Sequence, residues 1–164
     1  YDVGSRDEEH GRTGFAHLFE HVMFQGSAHV ASGQHIGLLQ AAGAVVNATT
    51  WFDRTNYFET LPTGGLDLAL WLEADRMVNA VLRGWEAQRF TVFEQRLGRQ
   101  GRPETRFDYE ALEAVTAPFH PSYHPSGGHL RDFAAFTREK MLRLYDDYFV
   151  PNNRSPASPR PGTM

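Results

Sequence analysis

Apolar residues recur at steps of three and four along several stretches of the chain, which is the period of a helix with one buried face. The first such stretch runs from Phe15 to Phe24. Thr13 stands where an N-cap residue is expected, and Gly26 with Ser27 ends the pattern. Five more helices are predicted on similar grounds, at residues 34–42, 66–82, 85–97, 109–115 and 138–149.

A different pattern begins at residue 45. Val45–Trp51 and Thr55–Leu61 are rich in β-branched and aromatic residues, and Asp53-Arg54 between them can form a turn. These features predict a β-hairpin, which Pro62 ends. Tyr1–Gly4 is typical of the end of a strand whose first part is absent, so the first strand is expected to be truncated.

Two segments are predicted to lack regular structure. Residues 118–129 contain repeated prolines and glycines, which indicates a loop. Its histidines, His120, His124 and His129, are expected to be solvated and are assigned no role. Residues 154–164 are rich in proline and poor in apolar side chains, so a disordered tail is predicted there.

Composition limits the class of protein. With 164 residues, 41% of them hydrophobic, the chain can bury the core of one domain, which is placed at residues 1–153. A net charge of −4 lacks the basic footprint of nucleic-acid binding. No apolar run reaches the ~20 residues of a membrane span, so a soluble chain, cytoplasmic or exported, is expected. Because cysteine is absent, a metal site would have to use His, Asp or Glu.

His17, Glu20 and His21 form a His-Leu-Phe-Glu-His motif on the first predicted helix. Residues four apart lie on one face of a helix, so both imidazoles can reach a single ion. Zn²⁺ with two histidine ligands, a carboxylate ligand and a bound water lowers the pKa of that water to about 7. Glu20 would then act as the general base. Two histidines at this spacing can equally be core or surface residues that bind no metal.

The segments around the motif resemble the pitrilysin/insulinase family of zinc metallopeptidases, whose His-x-x-Glu-His pattern inverts the usual zinc-peptidase motif. The resemblance covers residues 1–153 and follows the order and nearly the spacing of the family. The segments that carry it are Val3–Glu9, Arg12–Ala16, Met23–Ser27, Ala41–Gly43, Asn47–Thr50, Thr55–Tyr57, Leu72–Met77 and Pro151–Asn153.

This resemblance implies a third metal ligand, a glutamate on a later helix whose matching run here begins at Gln88. The alignment puts Gln95 at the ligand position, and a neutral glutamine is a poor zinc ligand. Glu94 is therefore taken as the third ligand beside His17 and His21, which requires the helix to be rotated by one residue, about 100°. Otherwise Glu94 is an exposed helix charge.

The resemblance also implies the fold class, which is α+β. A mostly antiparallel sheet would pack with helices as half of a pitrilysin-type two-domain unit, a metallohydrolase of the processing-peptidase type. Asn47, Ala48 and Thr49 fall on the strand along which an extended substrate would pair. The expected substrate is a peptide or unfolded protein, and the expected partner is a second homologous domain or chain. Glu73 and Asp75 are expected to be structural charges or caps.

Three hypotheses about function follow. The first is a zinc-dependent endopeptidase that hydrolyses peptide bonds through a metal-bound water. The second is a non-catalytic homologue that acts as a peptide-binding or assembly subunit of a two-chain peptidase. Gln95 favours this hypothesis. The third is an inactive truncated copy, which the shortened first strand and the proline-rich ending favour.

Overall fold

The computed structural model describes residues 1–116 and 120–153, which form six α-helices and one β-hairpin. The predicted disordered segment, 154–164, lies outside the described residues. None of the helices in the described residues is long and apolar enough to cross a membrane. The elements are α1 (Phe15–Val22), α2 (Gln34–Ala41), β1 (Val45–Thr50), β2 (Thr55–Thr60), α3 (Leu66–Val78), α4 (Trp85–Gln100), α5 (Pro103–Val115) and α6 (Arg138–Tyr148).

The two strands form an antiparallel hairpin, which confirms the prediction from their β-branched and aromatic residues. The register runs from Val45 opposite Thr60 to Thr50 opposite Thr55. The backbones of Tyr1 and Thr55 exchange two hydrogen bonds, of 2.9 and 3.1 Å. The first residues of the chain therefore lie beside β2.

The larger apolar core is built around α1. Leu18 and Phe19 are completely buried, and Val22 is 2% exposed. The ring of Phe19 packs on that of Phe149, which follows α6, with 4.0 Å between centroids. Fully burying a side chain of this size contributes about 1.5–3 kcal/mol. Apolar packing thus fixes the position of the helix that carries the motif.

A second, smaller core joins α2, β1 and α3. Leu39 on α2 and Leu72 on α3 are completely buried, and Ala44 packs with them just before β1. This core holds the hairpin against the two helices, so the end of β1 is placed next to α1.

Three element boundaries differ from the prediction by three residues or more. Helix α3 ends four residues early, because Asn79 leaves helical geometry with φ −121° and ψ 30°. Helix α4 continues through Gly98 to Gln100, and a Cβ added at Gly98 would meet no other atom within 4 Å. Helix α5 begins at Pro103, which suits the first helical turn because the N–H that proline lacks has no partner there.

Thr13 does not cap α1, contrary to the prediction. The N-cap residue is Gly14, with φ 99° in the left-handed region. The hydroxyl of Thr13 instead donates to Oδ2 of Asp132 at 2.7 Å and accepts the N–H of His129 at 2.8 Å. The prediction failed because it considered only the neighbouring backbone. The hydroxyl of Thr13 forms its hydrogen bonds with residues more than 110 positions away along the chain.

Candidate metal centre

Helix α1 brings the three polar residues of the motif together. One ligand atom from each of His17, Glu20 and His21 lies within 4.8 Å of the others. The two imidazole rings have their centroids 5.0 Å apart and are inclined at 79°. His17 and Glu20 are each 8% exposed. The helical spacing therefore produces the grouping that a shared ligand requires.

Burial keeps both imidazoles neutral. It lowers the pKa of His17 to about 3, and the charges of His21 and Arg99 act in the same direction. Burial also lowers the pKa of His21. The neutral imidazole is the form that binds metal ions. Among the described residues, Nδ1 of His17 is buried without a hydrogen-bond partner, and a metal ion would give such a nitrogen a partner.

Glu20 is held in place by the hairpin. The hydroxyl of Thr50, the last residue of β1, donates to Oε2 of Glu20 at 2.5 Å. Burial raises the pKa of Glu20, while the hydrogen bond from Thr50 and the charge of Arg99 lower it. A carboxylate whose pKa is raised toward neutrality is a better proton acceptor than an ordinary one. The end of β1 therefore positions the candidate base.

Helix α4 packs against α1 and presents two amides to the motif. Side-chain hydrogen bonding to Gln88 and Gln95 raises the pKa of His21, against the larger effect of burial. Gln88 and Gln95 are seven residues apart, about two helical turns, and so share a face of α4. Glu94 is not in the group of His21 and Glu20, and both Glu94 and Gln95 are exposed. The geometry gives no support to Glu94 as third ligand, and that assignment stays a prediction.

A buried carboxylate that sequence reasoning missed fixes the start of α1. The two oxygens of Glu8 accept the backbone N–H groups of Gly14 and Ala16, at 2.8 and 2.7 Å. The Glu8 side chain is 1% exposed, and burial raises its pKa to about 8 although the two N–H groups lower it. An acidic residue shortly before a helix is a usable signal, because carboxylates are stabilised at helix N-termini.

The described part of the loop, residues 120–129, closes over the start of α1. A Cβ on Gly128 would come within 2.4 Å of the backbone of Thr13, so this contact requires glycine. The carbonyl of Gly128 accepts a hydrogen bond from Nε of Arg96 on α4, at 2.8 Å. His124 is 1% exposed rather than solvated as expected, because the loop packs against α1 instead of extending into solvent.

A second group of potential ligands joins α2, β2 and α3. His35, Glu59 and Glu73 have ligand atoms within 4.8 Å of one another. Both oxygens of Glu73 are bound by the guanidinium of Arg76, through Nε at 2.9 Å and through Nη2. A cation already compensates this carboxylate, which disfavours a metal ion there. Glu73 is structural, as expected, and so is Asp75, which accepts several side-chain hydrogen bonds.

Asn47, Ala48 and Thr49 lie on β1, immediately before Thr50. Asn47 and Thr49 are exposed and Ala48 is buried, which is the alternation of a strand with one covered face. In the described part of the chain, β1 pairs with β2 alone. Its other edge therefore has no strand partner among these residues, and Thr50 at its end contacts Glu20 of the candidate metal centre.

Comparison with known families identifies the family to which this α+β unit belongs. The sequence model of the insulinase family, peptidase family M16, matches residues 1–107, and the chain belongs to this family. It is similar to the zinc protease PqqE of Helicobacter pylori, with 30% identity over 155 residues, 93% of this chain and 35% of that protein. The chain thus spans about a third of the length of the curated relatives that it matches.

Solved structures agree on the fold. A protease from Helicobacter pylori matches 93% of this chain and 37% of its own, with a TM-score of 0.88 and 29% identity. Pitrilysin matches 90% of this chain and 16% of its own, with a TM-score of 0.77 and 24% identity. These matches confirm the α+β class and the relation to pitrilysin-type units.

Proposed function

We propose that the chain is the motif-bearing domain of a zinc-dependent endopeptidase that hydrolyses peptide bonds in peptides or unfolded segments. The observation that carries the proposal is the grouping of His17, Glu20 and His21 within 4.8 Å. The lowered pKa of both imidazoles supports it, because neutral histidines are free to bind a metal. Membership of the insulinase family and the names of the relatives support it further.

His17 and His21 are the residues that would hold the zinc ion. When bound, zinc supplies a Lewis acid and lowers the pKa of a water molecule to about 7. The chain contributes a buried imidazole, His17, and a half-buried one, His21, on adjacent turns of a helix whose position is fixed by apolar packing. Zinc ligation by Glu94 stays a prediction, which the experiments below test.

Glu20 would be the general base. Its Oε2 accepts a hydrogen bond from the hydroxyl of Thr50, which leaves Oε1 to take the proton of the attacking water. The same carboxyl group can then give this proton to the nitrogen of the leaving amine. Thr50 is a positioning residue, because it holds the carboxylate in one rotamer.

The substrate would add to the open edge of β1 in an extended conformation. Asn47, Ala48 and Thr49 offer backbone groups along this edge, and Thr50 at its end contacts Glu20. A peptide paired with β1 would therefore run toward the base. Because the chain covers about a third of its relatives, a second homologous domain or chain would complete the cleft.

Cleavage of quenched fluorescent peptides tests this proposal, with zinc in excess and after chelation. We expect cleavage that requires zinc and falls by about 100-fold or more in Glu20→Gln, which keeps the shape but cannot take a proton. Glu104→Gln on the exposed start of α5 is the matched control and should leave the rate unchanged. Cleavage that survives Glu20→Gln would rule out the proposed base.

A second candidate function is peptide binding without hydrolysis. The observation that favours it is the pair of neutral amides, Gln88 and Gln95, that α4 presents to His21. In that case a labelled peptide would bind the chain, zinc would not change the affinity, and no cleavage would occur at any zinc concentration.

A further inference from the structure

Helix α4 runs past α1 in the opposite direction. Near the start of α4, a Cβ on Gly84 would lie 4.0 Å from Oε1 of Gln25, which follows α1. Toward the other end, a Cβ on Gly127 would touch both Arg96, at 3.4 Å, and Nδ1 of His17, at 3.8 Å. The end of α4 is therefore level with the first histidine of the motif.

Gln95 precedes Arg96 and so lies near the level of His17, whereas Gln88 lies two turns away, toward the end of α1. Both amides interact with His21. One turn after Gln95 on the same face comes Arg99, whose positive charge acts on all three motif residues. The face that α4 turns toward the metal centre thus contributes neutral amides and a cation, and no negative charge.

Glu20 cannot compensate for this lack. Within the described residues it is the one carboxylate that groups with both imidazoles, and Thr50 already binds its Oε2. A carboxylate drawn onto a cation has its pKa lowered and becomes a weaker proton acceptor. Glu20 therefore cannot serve fully as third ligand and as general base together.

We propose that Gln95 limits metal binding at this centre, because it places a neutral amide where an anionic third ligand would complete the site, and that Gln95→Glu alone would complete it. A catalytic zinc site has three protein ligands, and this one has two histidines without a ligand carboxylate from α4. The inference rests on the zinc site of the proposed function, and it adds the position that sets the affinity of that site.

Zinc affinity, measured by competition with a chromophoric chelator, tests the inference without any substrate. We expect Gln95→Glu to tighten zinc binding by about 100-fold or more over the unsubstituted chain, since changes even around metal ligands shift affinity 10–100-fold. The gain should be lost in Gln95→Glu combined with His21→Ala. Gln100→Glu, the same exchange at an exposed position of the same helix, is the matched control and should not reproduce the gain.

Further variants make the result independent of one substitution. Arg99→Gln removes the cation and should tighten zinc binding by a smaller factor. Equal affinity of the unsubstituted chain and Gln95→Glu would overturn the inference. So would a larger gain from Gln88→Glu, or weaker binding in Glu94→Gln, because either result would assign the third position to another residue.

The two proposals fail in different ways. If Gln95→Glu binds zinc tightly and cleaves no peptide, the inference about Gln95 holds and the proposed hydrolysis is wrong. If the unsubstituted chain binds zinc as tightly as Gln95→Glu and cleaves peptides, the hydrolysis holds and the inference is wrong.

Discussion

One buried threonine connects the start of α1 to the distant loop that covers it. Thr13 is completely buried, and Asp132 is 4% exposed. The hydroxyl of Thr13 donates to Asp132 at 2.7 Å and accepts the N–H of His129 at 2.8 Å. Thr13→Val keeps the size and branching of the side chain and removes both hydrogen bonds. It therefore isolates the polar link between α1 and the loop.

The expected loss follows from these two bonds. A hydrogen bond to a charged carboxylate contributes about 1.5–3 kcal/mol, and a buried N–H left without its acceptor costs about 1–3 kcal/mol. The backbone N–H of Thr13 still donates to Asp132, at 3.1 Å, so the carboxylate keeps one donor. We therefore expect Thr13→Val to lower the free energy of unfolding by about 3–5 kcal/mol, a large part of the 5–15 kcal/mol of a typical domain.

Equilibrium urea unfolding, followed by tryptophan fluorescence, measures this loss. The matched control is Thr137→Val, because Thr137 caps α6 at an exposed position and accepts the N–H of Lys140 at 3.4 Å. Losing such a cap should cost about 1 kcal/mol or less. A loss in Thr13→Val below about 1 kcal/mol, or no larger than the control, would refute the assignment of this contact as a main constraint on α1.

Two further predictions concern the pH dependence of stability. Burial lowers the pKa of His124 below its usual 6.5, so the unfolded chain takes up a proton first and stability falls as the pH drops below 6.5. In His124→Gln, urea unfolding between pH 7.5 and 5 should show a slope reduced by up to about 1.4 kcal/mol per pH unit, and an unchanged slope would contradict this. Burial and the neighbouring Glu73 raise the pKa of Glu59 from 4.5 to about 8, so its ionisation destabilises the folded chain as the pH rises through that range. Glu59→Gln should therefore be more stable than the unsubstituted chain at pH 9 and equal to it near pH 4.5, and equal stability at both pH values would contradict this.

Local patterns were sufficient to predict most of the fold. The apolar period of α1 and the β-branched residues of the hairpin act over a few positions, so both elements were predicted close to their observed bounds. The ends of helices were predicted less well, because they depend on tertiary neighbours. In a sequence, Gly98 and Pro103 both indicate the end of a helix. In the structure, Gly98 lies within α4, where an added Cβ would meet no other atom within 4 Å, and Pro103 begins α5.

In the candidate site, too, the local part could be predicted from the sequence and the tertiary contacts could not. His17, Glu20 and His21 lie within five residues of one helix, so their grouping follows from helical geometry. The partners that face them come from elsewhere in the chain, and the alignment could name Gln95 as the third-ligand position without showing what it contacts. Val92 and Arg96 are the buried residues of α4, and the assignment of Glu94 as third ligand stays a prediction.

The hydrogen bond from Thr50 to Glu20 links the identity of residue 95 to the role of the base. With an amide at position 95, a cation held by the two histidines would have Glu20 as its nearest carboxylate, and coordination would compete with Thr50 for Oε2. With a carboxylate at that position, Glu20 would keep Thr50 and remain free to take a proton. Loss of hydrolysis therefore does not require loss of any motif residue. If the metal draws Glu20 of this chain away from Thr50, the neutral amide at position 95 is the reason, and the proposed hydrolysis is lost.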